Sequence, residues 1–406
     1  MRRIRVATDV GGTFTDLVYY EIDGESGAME SFRTEKAHTT PPDFEKGVLD
    51  TLDKAGLDYA AIDFFAHGTT VVINALTERK GARTGLITTH GFRDVLEIAR
   101  GNRPDFFNLR YRKPEPFVPR YLRREIRERM SCKGEVLAEL RLDDLAPIIE
   151  DFRAAGVEAV AICLLHSYAN PSHEKAVLDR VRALWPEVAS VASHQLSQEW
   201  REYERSSTAV LCAYVRPSAG KYLAGMEDAL ETRGFPGSFY VMQSNGGIDT
   251  VKAVRETPIT IVESGPASGV LGAASLGRLL GLENIIAFDV GGTTAKCSLL
   301  DRGRVATTNR YVVERSDVSS GYPIMTPVVD IVEIGNGGGS IGWVDEHARM
   351  HVGPRSAGAL PGPVAYNRGG TEPTTTDANL LLARINPRYF TGGSIEPDMD
   401  AVRAAL

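Results

Sequence analysis

A five-residue sequence occurs twice in this chain, and each copy lies between two segments with the character of β-strands. Asp9-Val10-Gly11-Gly12-Thr13 recurs in the second half as Asp289-Val290-Gly291-Gly292-Thr293. Apolar runs precede the copies at residues 4–8 and 285–288, and strand-like runs follow at 17–20 and 297–300. Chance seldom repeats both a motif and its surroundings, so the pattern predicts a duplicated strand–turn–strand unit.

The chemistry of the repeated motif suits phosphate and magnesium. An ionised aspartate at a strand end only accepts hydrogen bonds and suits a hydrated Mg²⁺ ion. Paired glycines let the backbone approach a phosphate and turn its N–H groups outward, and a threonine adds a hydroxyl donor. Two such hairpins facing across a cleft would hold the phosphates of a nucleoside triphosphate from both sides. The alternative is that both are hairpin turns whose glycines serve backbone geometry alone.

A third glycine-rich segment covers residues 335–340 and follows a predicted strand at 328–334. It is a candidate for a further nucleotide contact, with a simple tight turn as the alternative. It lacks the last glycine of the G-x-G-x-x-G motif, and the chain has no G-x-x-x-x-G-K-[ST] sequence. Residues 338–342 match the G-x-S-x-G pattern of serine hydrolases, but the strand predicted after them disfavours a nucleophile elbow, which needs a helix there.

Composition restricts the class of protein. The 406 residues carry 46 Lys and Arg against 53 Asp and Glu, a net charge of −7 that disfavours a dedicated nucleic-acid binder. The length predicts two or three domains. Neither a membrane-spanning apolar run nor a signal peptide is recognisable. The four cysteines are far apart, which disfavours a zinc knuckle or a disulfide scaffold and favours a cytoplasmic location.

Strand-like and helix-like segments alternate along the chain, which predicts parallel or mixed sheets covered by helices. Strands are predicted at residues 64–66, 84–88, 157–165, 238–242 and 259–262, and helices at 92–99, 142–155, 171–184 and 267–280. Thr40 is the predicted N-cap of a helix that includes residues 44–52. Residues 100–129 are rich in arginine and proline, which predicts a long basic excursion on the surface.

Polar residues at predicted strand ends are candidates for substrate contacts, because α/β folds bind ligands at the carboxyl ends of strands. These candidates are His67, Thr69, Asn245, Gly246, Ser264 and Gly265. Glu263 is the candidate general base, with a structural role as an acceptor for backbone N–H groups as the alternative. For His67 the alternative is a buried histidine whose ring nitrogens are both hydrogen-bonded.

Several longer segments resemble the hydantoinase A/5-oxoprolinase family of the actin/hexokinase/Hsp70 superfamily. They include residues 9–16 (DVGGTFTD), 81–94 (GARTGLITTHGFRD), 163–174 (CLLHSYANPSHE), 203–208 (YERSST), 242–247 (MQSNGG), 264–269 (SGPASG), 333–341 (EIGNGGGSI) and 374–379 (TTTDAN). The resemblance implies an α/β fold of duplicated actin-like (ribonuclease H-like) ATPase domains, with mixed sheets flanked by helices. We place the first half at residues 1–205 and the second at 206–406. An uncapped helix at residues 398–406 predicts that the second half is incomplete.

The resemblance also implies ATP and Mg²⁺ as cofactors. Asp9 and Asp289 would be the catalytic aspartates that orient the magnesium ion through water. One side of the phosphates would be held by Gly11, Gly12, Thr13 and Thr15. The other side would be held by Gly291, Gly292, Thr293 and Thr294, with Gly337, Gly338 and Gly339 near the nucleotide.

The activity implied by the resemblance is phosphorylation of a carbonyl or enolate oxygen, followed by hydrolytic opening of a hydantoin- or oxoproline-type cyclic amide. A second, B-type subunit would complete a hetero-oligomer around this small-molecule substrate. The alternatives are an acetone- or acetophenone-type carboxylase subunit, a small-molecule kinase, or a nucleotide-gated scaffold of the same fold.

Overall fold

The computed structural model describes residues 3–12, 14–40, 42–101, 103, 105–292, 294–316, 318–358, 360–393 and 395–406. These residues form a mixed α/β structure with helices packed on its sheets, as the sequence predicts. Within these ranges no helix has both the length and the apolar character that crossing a membrane requires.

The first sheet is built from the N-terminal copy of the repeat and the strands beside it. Its first elements are β1 (Arg3–Val10), β2 (Phe14–Ile22), β3 (Met29–His38), α1 (Phe44–Ala55), β4 (Ile62–Thr69) and α2 (Val71–Thr77). Strands β1 to β3 are antiparallel neighbours, and β4 pairs in parallel with β1. Alternate residues of β1 such as Val6 and Val10 are buried in the main core, which they share with Leu52 of α1.

The second sheet follows and is wholly parallel. Its region contains β5 (Thr84–Thr89), α3 (Val95–Ile98), β6 (Arg123–Ile126), β7 (Arg129–Met130), β8 (Val136–Ala138), α4 (Leu145–Ala154), β9 (Ala159–Cys163), α5 (Ser172–Leu184), β10 (Ala189–Ala192) and α6 (Glu202–Thr232). The sheet order is β10-β9-β5-β6. Every residue of β5 and β9 is buried, as expected of parallel strands covered on both faces.

The chain then returns to the first sheet. The next elements are β11 (Ser238–Met242), β12 (Ile248–Thr250), α7 (Val251–Glu256) and α8 (Ser264–Leu280). Strand β11 pairs in parallel with β4, so the first sheet has the order β12-β11-β4-β1-β2-β3. This sheet therefore includes strands that come after residue 205, the predicted boundary between the halves, and that boundary stays a prediction.

The second copy of the repeat begins the last part of the chain. Its elements are β13 (Ile285–Val290), β14 (Ala295–Asp301), β15 (Arg304–Val305), β16 (Thr307–Thr308), β17 (Tyr311–Val313), β18 (Tyr322–Ile324), β19 (Val328–Val329), β20 (Val332–Ile334), β21 (Ser340–Val344), β22 (Met350–Ser356), α9 (Thr375–Leu381) and α10 (Met399–Ala405). Strands β13 and β14 form an antiparallel hairpin, like β1 and β2, and β14 also pairs with β15 and β20.

The two copies of the hairpin differ in burial. In the first copy Val6 and Val10 are 2% and 0% exposed. At the equivalent positions of the second copy Ile286 and Val290 are 68% and 53% exposed. In the part of the chain that the structure describes, one face of the second hairpin is thus apolar and open to solvent.

The predicted strand at residues 259–262 is wrong. Residues Pro258–Ile261 form a 3₁₀ turn, and Ile259 and Ile261 are buried in the main core. A short apolar run rich in β-branched residues fits a buried turn as well as a buried strand. Pro258 also lacks the N–H group that a strand ladder would use.

Two helix predictions near the N-terminus need correction. Helix α1 begins at Phe44 with Asp43 at the N-cap position, whereas Thr40 was the predicted cap. The Thr40 hydroxyl instead donates to the Asp43 carbonyl (2.6 Å) and accepts from the Gly47 N–H (2.9 Å). The helix predicted at 92–99 is a single turn, α3. Of the basic excursion predicted at residues 100–129, residues 105–117 contain neither helix nor strand. Its later part is wrong, because Arg123–Ile126 form β6 of the second sheet, where Arg123 and Ile126 are buried.

Candidate functional site

The two copies of the repeat form the same tight turn. The Gly11 N–H donates to the Phe14 carbonyl, and the Gly291 N–H donates to the Thr294 carbonyl, each at 2.9 Å. Each turn places an aspartate in the preceding strand, one residue before its end. The sequence prediction of two equivalent hairpins is thereby confirmed. The predicted hydroxyl donors Thr13 and Thr293 lie outside the described residues.

The first aspartate, Asp9, has a carboxylate oxygen that is buried and has no hydrogen-bond partner among the residues that the structure describes. Gly68 at the end of β4 and Gly265 in the first turn of α8 lie against this oxygen. A Cβ atom would stand 2.8 Å from Oδ1 of Asp9 at Gly68 and 2.7 Å from it at Gly265. Burial, together with the charges of Asp16 and Asp289, raises the pKa of Asp9 to about 6.

This arrangement fits a divalent cation. A buried carboxylate oxygen without a partner is costly when ionised, and a cation would remove that cost. Asp289 lies near enough for its charge to raise the pKa of Asp9, so the two aspartates share one electrostatic environment. Within the described ranges no cluster of three or more His, Cys, Asp or Glu side chains could hold a metal. Mg²⁺ is commonly held by one or two carboxylates together with substrate phosphates, and two aspartates fit that donor set.

The glycine-rich segment packs on the second hairpin. The Gly338 N–H donates to the Gly291 carbonyl (2.9 Å), and the Gly339 N–H donates to the Gly292 carbonyl (2.6 Å). The Gly337 N–H donates to Ser340 Oγ at 2.8 Å. The structure therefore brings the predicted glycines of the two segments together. The described amides of residues 337–339 are all occupied within the protein, so they brace the second hairpin.

Thr15 supports the first hairpin from inside. Its side chain is fully buried, and its hydroxyl lies 3.3 Å from the hydroxyl of Thr39. The Thr39 hydroxyl in turn donates to the Gly11 carbonyl at 2.8 Å. Gly12 is exposed, with no atom within 4 Å of the position its Cβ would take. The open side of this turn is therefore at Gly12.

His67, a predicted substrate contact, lies completely inside the protein. Its Nδ1 is 2.7 Å from the Thr8 hydroxyl and its Nε2 is 2.7 Å from the Tyr222 hydroxyl. Burial lowers the pKa of His67 to about 3, so the ring is neutral. This geometry matches the alternative interpretation of His67 as a buried histidine with both ring nitrogens satisfied.

Thr69 and Ser264 join the first sheet to α8. The Thr69 N–H donates to Ser264 Oγ (3.0 Å), and the Ser264 hydroxyl donates to the Thr69 carbonyl (2.9 Å). Both residues are fully buried. This pair of bonds fixes the start of α8, and with it Gly265, beside Asp9.

Asn245 and Gly246 form the turn between β11 and β12. The Asn245 side chain is exposed, and its Oδ1 accepts from the Gly247 N–H at 2.7 Å. Gly246 has a φ of +88°, and a Cβ atom there would lie 2.6 Å from a methyl group of Leu271. The turn itself requires these two residues, and their role toward a substrate stays a prediction.

Glu263, the candidate general base, lies immediately before α8 and is buried. Its Oε2 is 2.7 Å from Nζ of Lys296, and its Oε1 accepts from the Tyr311 hydroxyl at 2.5 Å. Its own N–H donates to Ser244 Oγ at 2.9 Å. Among the described residues the carboxylate accepts from these two side chains, and from no backbone N–H group of the kind that the alternative interpretation requires.

Several residues of this site were not predicted from the sequence. Gly68 and Tyr311 have no local signature, because each acquires its role through a long-range contact. Lys296 does have one: it occupies the position of the second copy that Asp16 occupies in the first. Comparing the two copies beyond their shared five residues would have found it.

Two family models match nearly the whole chain. The model described as "Hydantoinase/oxoprolinase N-terminal region" matches residues 5–184, and the model described as "Hydantoinase/oxoprolinase" matches residues 205–406. Among curated proteins, an uncharacterised protein of Methanocaldococcus jannaschii is 39% identical over 99% of this chain and 60% of its own length. The caprolactamase subunit alpha of Pseudomonas jessenii is 36% identical over 100% of this chain and 58% of its own.

The chain is also similar to solved structures of such proteins. Nucleotide-free acetone carboxylase superposes with a TM-score of 0.82 at 28% identity, covering 100% of this chain and 58% of that chain. The crystal structure of the ATP-dependent caprolactamase from Pseudomonas jessenii superposes with a TM-score of 0.80 at 36% identity. The match covers 99% of this chain and 58% of that chain. The chain thus spans about three-fifths of the length of these relatives.

Proposed function

Because the chain belongs to the hydantoinase/oxoprolinase family, we propose that it is the nucleotide-binding part of an enzyme that uses ATP to open a cyclic amide. The caprolactamase to which it is similar is described as ATP-dependent. That similarity supports ATP use and a lactam-type substrate. The proposal concerns the whole enzyme, of which these 406 residues would form the part with the repeated hairpins.

The observation that carries the proposal is the unpartnered, buried oxygen of Asp9 within electrostatic range of Asp289. These two aspartates would hold Mg²⁺, and the open turn at Gly12 would lie toward the phosphates. When bound, ATP supplies the phosphoryl group that makes the amide carbonyl susceptible to water. Such transfers depend on positioning and on charge neutralisation, which fixed carboxylates and turn amides provide.

Glu263 would accept the proton of the attacking water. Its carboxylate is held by the hydroxyl of Tyr311 and the ammonium of Lys296, which fix its position close to the start of α8. Gly265, two residues later, packs against Asp9. The proposed base and the proposed magnesium site are thus joined through one helix terminus.

A ketone carboxylase subunit is the second candidate. The superposition on nucleotide-free acetone carboxylase covers the whole chain, and that protein is described as performing ATP-dependent acetone carboxylation. Activation of an enolate oxygen would use the same aspartates. The two candidates differ in their second reactant, which is water for the lactam and bicarbonate for the ketone.

A partner subunit belongs to the proposal. The relative from Pseudomonas jessenii is named as subunit alpha of caprolactamase, which implies at least one other subunit in that enzyme. We propose a B-type subunit as the partner here, with the small-molecule substrate bound in the assembly.

Substrate-dependent release of phosphate tests this function. The chain would be incubated with Mg·ATP and one of caprolactam, hydantoin, 5-oxoproline, or acetone with bicarbonate, with and without a B-type subunit. Ring opening coupled to phosphate release supports the cyclic amidase, and carboxylation supports the second candidate. A stable phosphorylated product would indicate a kinase. ADP formation that no substrate accelerates would contradict both candidates and indicate a scaffold.

A further inference from the structure

The two hairpins differ at the residue that faces each aspartate across the strands. Asp9 is paired with Asp16 in β2, whereas Asp289 is paired with Lys296 in β14. The same position therefore carries a negative charge in the first copy and a positive charge in the second. The two copies therefore keep the same turn and differ in the charge beside the aspartate.

Lys296 is a largely buried cation among carboxylates. Its side chain is 14% exposed, and its Nζ lies 2.7 Å from Oε2 of Glu263 and 3.9 Å from Oε1 of Glu333. Burial lowers the pKa of Lys296, but the carboxylates of Glu263, Glu333 and Asp289 outweigh this and raise it overall. The charge of Lys296 also acts on Asp9, more strongly than that of Lys36. Lys296 is therefore within electrostatic range of both aspartates of the proposed magnesium site.

Lys36 of β3, the cation paired with Asp16 beside the first hairpin, has a different setting. Lys36 forms its ion pair with Asp16 at 2.6 Å, and the two side chains are 43% and 49% exposed. An exposed ion pair of this kind contributes little to stability, and dissolved salt screens the attraction between its charges. A buried lysine among several carboxylates keeps a strong local field, because little water screens it. Of these two lysines, only Lys296 is bound to a buried carboxylate, with which an anionic ligand could compete for the ammonium group.

We propose that Lys296 is the phosphate-binding cation of the nucleotide site, and that Glu263 holds it until a nucleotide arrives. This inference rests on the proposed function, since it assumes that the two hairpins bind a nucleoside triphosphate. An ammonium on a flexible stem can exchange one anionic acceptor for another by rotating about its side-chain bonds. Phosphate oxygens are strong acceptors for such a cation. After the exchange, Glu263 keeps Tyr311 as a partner and loses the cation that neutralised it.

The exchange would couple nucleotide binding to the proposed base. While Lys296 is bound to Glu263, one carboxylate oxygen is occupied by a cation. Transfer of that cation to phosphate frees the oxygen for a water molecule. Lys296 is thus a binding residue for the nucleotide and a positioning residue for Glu263.

The competing explanation is that Lys296 and Glu263 form a purely structural ion pair. The direction in which two substitutions change the affinity for ATP distinguishes this explanation from the proposal. Removing either partner of a structural pair leaves the other charge buried and alone, so both substitutions would lower stability and neither would strengthen nucleotide binding. In the proposed exchange, Glu263 competes with phosphate for Lys296. Glu263→Gln should then strengthen ATP binding, while Lys296→Gln should weaken it.

Calorimetric titration of Mg·ATP and Mg·ADP into the 406-residue chain tests this inference. We expect Lys296→Gln to weaken ATP binding by about tenfold or more, the size of one charge-assisted hydrogen bond. ADP binding should weaken less if the contact is to the terminal phosphate. Lys36→Gln is the matched control and should stay within about twofold of the unmodified chain, because its pair is exposed. Thermal unfolding of each variant checks that it is folded.

The double variant Lys296→Gln/Glu263→Gln removes both charges of the buried pair, and it keeps the test valid if Lys296→Gln alone does not fold. It should bind ATP as weakly as Lys296→Gln. Unchanged ATP binding in the double variant, or losses of equal size in both single variants, would overturn the inference while leaving the proposed function intact. Failure of the unmodified chain to bind ATP would contradict the proposed function and, with it, this inference.

Discussion

Gly265 has no room for a side chain because the carboxylate of Asp9 occupies the space. A Cβ atom at this position would stand 2.7 Å from Oδ1 of Asp9, closer than real contacts of this kind. The sequence marks Gly265 only as one of several small residues in SGPASG. Its role follows from the meeting of α8 with β1, which no local pattern describes.

Gly265→Ala should therefore displace the Asp9 carboxylate and weaken Mg·ATP binding by about tenfold or more, the effect of losing one charged contact. Gly269→Ala is the matched control in the same helix, since nothing lies within 4 Å of its Cβ position. That control should keep its affinity and gain up to about 1 kcal/mol of stability from its higher helix propensity. Equal affinities for the two variants would contradict the close approach to Asp9.

His67 gives the fold a dependence on pH. Its pKa is lowered from 6.5 to about 3 by burial, so the folded chain does not take up the proton that the unfolded chain binds below pH 6.5. The unfolded state then binds more protons, and the free energy of unfolding falls as the pH falls. The stability that His67 contributes is complete above pH 6.5 and decreases below it.

Between about pH 6.5 and pH 4 the unmodified chain should lose about 3 kcal/mol more stability than His67→Gln, from about 1.4 kcal/mol per pH unit. Urea unfolding at several pH values measures this difference. His347→Gln changes an exposed histidine and should leave the pH profile as it is in the unmodified chain. A His67→Gln profile parallel to that of the unmodified chain would show that His67 is not responsible.

At the scale of elements, the hairpins are the part of the fold that the sequence predicts best. Each combines a strand of period two with a glycine turn, and both signals lie within about fifteen residues. The pattern at Pro258–Ile261 predicts a strand where the structure has a 3₁₀ turn, because burial in the core gives a turn the same apolar composition. The contacts that build the site join distant elements: Glu263 meets Lys296 and Tyr311, and His67 meets Tyr222 from α6. Such contacts depend on topology, which the sequence pattern does not specify.

The start of α8 depends on one buried hydroxyl. The Ser264 hydroxyl bonds to both the N–H and the carbonyl group of Thr69, so Ser264→Ala leaves two buried backbone groups without these partners. We expect a loss of about 2 kcal/mol in the free energy of unfolding, measured by urea titration. Ser268→Ala, four residues along the same helix, removes a single bond to the Ser264 carbonyl and should cost under about 1 kcal/mol. A smaller loss for Ser264→Ala than for Ser268→Ala would contradict this role.

At the scale of the whole molecule, the sequence repeat predicts two facing hairpins, and the structure adds how they differ. The first is embedded in a six-stranded sheet with its inner face buried, while the second exposes Ile286 and Val290. In the first hairpin Asp16 lies opposite Asp9, and in the second Lys296 lies opposite Asp289. The duplication itself was visible in the sequence. The difference in burial was not, since burial is a property of the assembled chain, whereas the change from Asp16 to Lys296 can be read by aligning the two copies.

The central claim is that Asp9 and Asp289 together hold Mg²⁺ and ATP, and binding by the aspartate variants tests it most directly. We expect saturable binding of ATP that requires Mg²⁺, and a loss of about tenfold or more in both Asp9→Asn and Asp289→Asn. Without ligand, Asp9→Asn should melt at a higher temperature than the unmodified chain, because it removes a buried carboxylate repelled by Asp16 and Asp289. Undiminished Mg·ATP binding in both variants would contradict the claim.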